Sequence, residues 1–168
     1  MKSSAKKVVL IFCSLCLIAS CATTELGNTK IAEAGRYMQL DINESTKRDV
    51  YLVFGQPMYV SYDENDSSVW VYKKVDMTPS GWSYVPVWGL IVGGQNVEEE
   101  VAYFEFSSDA LLTNISNRAN GGYVNTWVGL AGGGIQDDEP ENAYSVKEEM
   151  SKYSLPYNKD RDPLAEKD

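Results

Sequence analysis

The chain has no histidine, and its three cysteines, Cys13, Cys16 and Cys21, all fall within the first 21 residues. Without histidine, the usual general base near neutral pH and the commonest transition-metal ligand are missing. No Gly-x-Ser-x-Gly elbow, phosphate-binding loop or EF-hand spacing occurs. Gly132-Gly133-Gly134 lacks the strand, helix and lysine context that turns a glycine run into a phosphate cradle. The run Glu98-Glu99-Glu100 is a poor metal site, because adjacent strand residues point to opposite faces. Asp63, Glu64 and Asp66 lack the ring of ligands that an EF-hand loop supplies. These absences leave no catalytic residue, no cofactor and no metal to expect, and they place an enzyme built on carboxylates alone third among the possible roles.

A long apolar run is also absent. Val8–Ile18 spans eleven residues, whereas a membrane-crossing helix needs about 20. It follows the positive cluster Lys2, Lys6 and Lys7 and precedes small residues, which is the layout of an export signal. Ile18-Ala19-Ser20-Cys21 resembles the lipobox of bacterial lipoproteins. The resemblance implies removal of residues 1–20 and acylation of Cys21, with the acyl chains holding the protein to a membrane. Each buried methylene contributes ~0.8 kcal/mol, so more than one chain is needed for a firm hold. Ala22 in place of aspartate points, by analogy with enterobacterial sorting, to the periplasmic face of the outer membrane. Loss of residues 1–20 removes three lysines and no acid, moving the net charge from −9 to −12. Such an acidic chain is a poor nucleic-acid binder, and no nucleic-acid partner is expected.

The stretch around which the body is organised runs from Ser45 to Tyr72. Thr46 and Asp49 have the spacing of a capping box, and Val50, Val53 and Phe54 give the helix one apolar face. Gly55 suits a left-handed C-terminal cap and Pro57 forbids continuation. Lys47 and Arg48 in the first turn oppose the helix dipole. Ile31, Ala34 and Met38 predict an earlier helix over 29–38. Alternation predicts strands over 58–62, 69–74, 98–106 and 111–116, with Trp70 and Tyr72 on one face and Ala102, Phe104 and Phe106 on one face. Helix, helix, then antiparallel strands reads as α+β.

Thr46-x-x-Asp49-Val50, Phe54-Gly55-Gln56-Pro57, the Trp70-Val71-Tyr72 strand and the run from Phe104 to Ile115 resemble the SmpA/OmlA (BamE-like) family of small outer-membrane lipoproteins over residues 21–118. The resemblance implies a BamE/BLIP-like fold, two short helices on a three- to four-stranded antiparallel sheet. It also implies a non-catalytic accessory role in β-barrel outer-membrane protein assembly and envelope integrity. The expected partners are outer-membrane lipid, through acylated Cys21, and subunits of the β-barrel assembly machinery. The alternative is a lipoprotein of the same fold that binds another envelope partner, an inhibitor or a secretion-system component. The organisation expected is a signal peptide over 1–20, a tether over 21–28 and the α+β domain over 29–118. A Gly-rich segment and acidic tail then occupy 119–168.

Two segments stand outside that resemblance. The insertion 77–96 is the most apolar piece of the mature chain, and Trp82, Tyr84, Val87, Trp88, Leu90 and Ile91 are its candidate partner or membrane contacts. Two readings stay open: a cover over the edge of a small core, which is preferred, and an exposed contact patch. Beyond Asn117, Asn120-Gly121-Gly122 is a turn signal, and a further strand is expected over 123–130. Residues 137–168 carry ten acids, five bases and three prolines, which predicts a mostly disordered tail with a transient helix over 145–153.

Overall fold

The computed structural model describes residues 23–81, 93–125 and 143–165. Cys21 and the six candidate contacts from Trp82 to Ile91 lie outside the described residues. The first strand, β1 (Thr24–Gly27), is exposed throughout. Asn28 ends it: its backbone N–H donates to the Lys73 carbonyl at 2.8 Å, and its side chain donates to the Phe54 carbonyl at 2.8 Å. A 3-10 turn over Thr29–Ala32 follows, and then a single helical turn, α1 (Ala34–Tyr37). The helix expected over 29–38 is therefore broken at Glu33, whose backbone is extended.

Helix α2 (Lys47–Phe54) begins where the capping box places it. The Thr46 side chain accepts from the Asp49 N–H, and the Asp49 carboxylate accepts from the Thr46 N–H at 2.8 Å. Val50 and Phe54 are fully buried. Gly55 closes the helix at φ 87° and ψ −156°. That is the extended region open only to glycine rather than the left-handed helical cap.

Strands β2 (Tyr59–Tyr62), β3 (Ser68–Pro79), β4 (Gly94–Phe106) and β5 (Leu112–Asn125) follow, and β6 (Ala143–Tyr144) leads into helix α3 (Val146–Lys152). All pairings are antiparallel, in the order β5-β4-β3-β2-β6. One margin of β3 is shared end to end: β2 pairs with its first third, Ser68 to Val71, and β1 with Lys74 to Met77. The core lies on the helix side, where Phe54 packs on Phe104 at 4.9 Å and Tyr72 meets Phe104 edge-on at 5.3 Å. Trp70, Phe106, Val60 and Leu112 continue this layer toward Val146 and Met150 of α3. On the opposite face Tyr59, Val71 and Val101 form a smaller cluster with Leu164 beside it.

The expected α+β body of two helices on three or four strands, with a disordered tail, is corrected by this architecture. The molecule is mostly sheet, six strands among the described residues, with short helices. Three local misreadings account for the difference. The polar stretch 24–27 has no alternation, yet β3 is long enough to leave a free margin, and β1 fills it. Asn120-Gly121-Gly122 lies inside β5, opposite Glu99, Glu98 and Val97, because β4 runs far enough to template it. The acidic stretch holds β6 and α3, and Val146, Glu149 and Met150 are fully buried.

Candidate functional site

Glu149 supplies the centre of the most heavily bonded cluster among the described residues. Ser145 caps α3 by accepting from the Glu148 N–H, which aims Val146, Glu149 and Met150 at the sheet. The Glu149 carboxylate is 0% exposed and Lys47 is 2% exposed; Lys47 Nζ lies 2.7 Å from Glu149 Oε1. Trp70 Nε1 donates to the same oxygen at 2.7 Å, and the Tyr62 hydroxyl donates to Oε2 at 2.5 Å. Lys47 also donates to the Tyr62 and Tyr153 hydroxyls at 3.3 and 3.2 Å. Its ammonium stands 4.5 Å from the Tyr153 ring centroid and 5.5 Å from that of Phe106. Burial, and then the hydrogen bond to Glu149, pushes the Tyr62 phenol well above its ordinary range.

Buried charges are stable only when paired and hydrogen-bonded, and here both oxygens of the carboxylate are engaged. With both oxygens bonded inside the core and no exposure, Glu149 is a tie between α2, β2, β3 and α3 rather than an acid or base for a substrate. Sequence reading placed Lys47 on the helix as a small electrostatic liability. Nothing local in the sequence marks it as the partner of a residue 102 positions away.

Among the described residues, three concave surfaces flank this core. A groove of about 510 Å³ runs between the 3-10 turn, α1 and the β4–β5 pair; Ile31, Ala32, Ala34, Tyr37, Ala102 and Ala119 line it, with the polar Glu100, Asn117 and Arg118 at its β4–β5 side. A second, of about 290 Å³, lies between Asn28, Gln56 and the 160–163 segment. There Gln56 holds the Asn158 backbone twice, donating to its carbonyl at 3.1 Å and accepting from its N–H at 2.7 Å. The third, of about 320 Å³, sits on the far face around Tyr59, Tyr103 and the Lys73–Glu99 ion pair of 3.1 Å.

The acidic runs fall as alternation requires. Glu99 pairs with Lys73 on the far face, while Lys74 on the core side bonds Asp76 at 2.6 Å, which raises the Lys74 pKa. Asp63 Oδ1 accepts from the Asn65 and Ser67 N–H groups at 2.8 and 2.9 Å, so that carboxylate shapes a turn. Among the described residues, no three or more Asp, Glu, His or Cys side chains converge on a point that would hold a metal.

None of the protein-family models, curated proteins or solved structures compared with this chain matches it at a significant level.

Proposed function

We propose that this protein is a lipid-anchored outer-membrane lipoprotein on the periplasmic face, and a non-catalytic accessory of β-barrel outer-membrane protein assembly and envelope integrity. One placement supports the reading best. β1 starts three residues after Cys21 and pairs Thr24 with Met77, near the end of the sheet where Pro79 faces Gln95 and Gly94 faces Asn125. Acyl chains on Cys21 would hold that end of the sheet toward the bilayer. The apolar segment between Gly81 and Gly93 is joined to the same end. Among the described residues no helix is long and apolar enough to cross a membrane, so the tether carries the attachment in this reading.

Metabolic labelling with palmitate tests the anchor, with Cys21→Ala as the unlabelled control. A chain that stays unlabelled and soluble in the periplasm ends the proposal. A pull-down from solubilised membranes tests the role, and recovery of barrel-assembly subunits is the expected result. A second reading, a tethered protein that serves another envelope partner such as an inhibitor or secretion-system component, is favoured by one observation. Among the described residues the sheet has six strands, where the family resemblance implies three or four. Partners recovered without any barrel-assembly subunit would select it.

A further inference from the structure

Among the described residues β5 is the last strand of the sheet, and it runs for 14 residues with only β4 beside it. Thr113, Asn114 and Ser116 to Gly122 are exposed. The opposite margin is treated differently: β2 is only four residues long and β6 covers part of it. Proteins blunt open edges with lysine, proline, inward charges, bulges or short strands. β5 has no proline, lysine or carboxylate, and its one irregularity lies at the start of the β4–β5 ladder, between Glu105 and Phe106. Among the described residues, a long row of backbone N–H and C=O groups is thus presented without the usual protection.

The surroundings of this edge are specific as well. The groove of about 510 Å³ adjoins it on the helix side, at Asn117 and Ala119. On the far face the exposed Arg118 is the single charge within β5. We propose that β5 is a strand-addition site for an extended segment of a partner protein. That segment would lay apolar side chains over the groove and set one carboxylate across from Arg118. Strand pairing supplies the affinity and the alternate side chains supply the selection. Residues directly opposite one another share a face, so those facing Asn117 and Ala119 go to the groove and the one between them goes to Arg118. The chain's net charge of −9 repels other acids, so the rest of the segment is neutral or basic. The same charge, with Arg118 having no carboxylate to meet on a second β5, disfavours a pair of copies.

The full chain and a synthetic peptide test this directly. The probe is N-acetylated and C-amidated Lys-Thr-Val-Thr-Phe-Glu-Phe-Thr-Val-Thr-Lys, with its apolar residues on one face and its single acid on the other. Saturating peptide should slow amide exchange across residues 113–122 and leave β1 unchanged. Arg118→Glu, at an exposed site that does not threaten folding, should weaken binding at least tenfold, and a peptide with lysine in place of glutamate should recover it. N-methylation of alternate peptide residues should abolish binding in one parity and spare it in the other. Unchanged exchange at 113–122, equal effects of the two N-methylated series, or indifference to Arg118→Glu would each overturn the proposal. Sedimentation of the free chain as a dimer protected at 113–122 would also overturn it, by giving the edge to a second copy. Strand addition does not depend on the tether, and a chain that takes up no palmitate would still bind the peptide.

Discussion

Lys47 and Glu149 are 102 residues apart in sequence and 2.7 Å apart in space, and neither is exposed by more than 2%. The first begins the capped helix; the second sits in the acidic stretch that composition marks as solvated. Their contact makes the C-terminal segment part of the core. Removing one partner of a buried pair leaves a charge with no compensation and typically costs about 3–5 kcal/mol. Lys47→Met should fall in that range. The double variant Lys47→Met with Glu149→Gln keeps an acceptor for Trp70 Nε1 and removes both charges, so it should lose much less than the sum of the singles. Urea denaturation followed by tryptophan fluorescence gives the coupling, and simple additivity would show that the pair is not the tie described.

The same contact predicts the fate of residues 143–165 under protease. Lys147 and Lys152 are exposed, but both lie in α3, whose Val146, Glu149 and Met150 are fully buried. Cleavage at either site requires the segment to open. Native protein should therefore resist trypsin at these bonds over times that digest an unstructured acidic tail completely. A chain ending at Asn142 should be less stable than Glu149→Gln, because it also uncovers Val60 and Trp70. Rapid nicking at Lys152 with unchanged melting would restore the disordered tail.

These two cases mark what was legible in the sequence. The cap at Thr46 and Asp49, the stop at Gly55 and the inward row Trp70, Tyr72, Phe104 and Phe106 rest on local spacing, and the backbone follows it. β1 and β6 are four- and two-residue strands held by pairing with distant segments, so no periodicity announces them. Glu149 is a charged residue in a charged stretch, and its burial is decided by Lys47, Tyr62 and Trp70. Within β5 only Asn120-Gly121-Gly122 reads as a turn, because Asn-Gly-Gly is turn chemistry; tertiary pairing overrides it. The proposed contacts from Trp82 to Ile91 lie outside the described residues.

Gly27 offers a third test, at the junction between the N-terminal strand and the sheet. Its φ is 87°, and a Cβ there would come within 2.2 Å of the Lys73 carbonyl oxygen. Gly27→Ala combines a left-sided φ, costing about 1–3 kcal/mol, with a backbone clash. β1 is exposed and short, so the cheapest escape is for it to detach rather than for the core to unfold. Amide exchange at residues 24–28 should accelerate strongly, while urea denaturation followed by tryptophan fluorescence reports only a small loss of global stability. Retained protection at Leu26 in the alanine variant would mean that β1 is not held as described.

Acid provides the last test, through Asp49. Its carboxylate accepts from the Thr46 N–H at 2.8 Å and the Thr46 hydroxyl at 2.7 Å, and the backbone bond is the larger cause of its lowered pKa. A carboxylate whose folded value lies below the unfolded one, about 3.9, binds its proton less tightly when folded. Its stabilisation is therefore present above pH 3.9 and fades as pH falls through the folded value. Asp49→Asn keeps the shape of the cap without the charge, so it should be less stable than the parent at pH 7, and the gap should close as pH falls through the folded value of Asp49. Thr46→Ala removes the hydroxyl half of the box and should cost about 0.5–2 kcal/mol at neutral pH. Measuring both variants by urea denaturation from pH 2 to pH 7 separates the two effects. A pH-independent gap for Asp49→Asn would show that the carboxylate contributes by shape and not by charge.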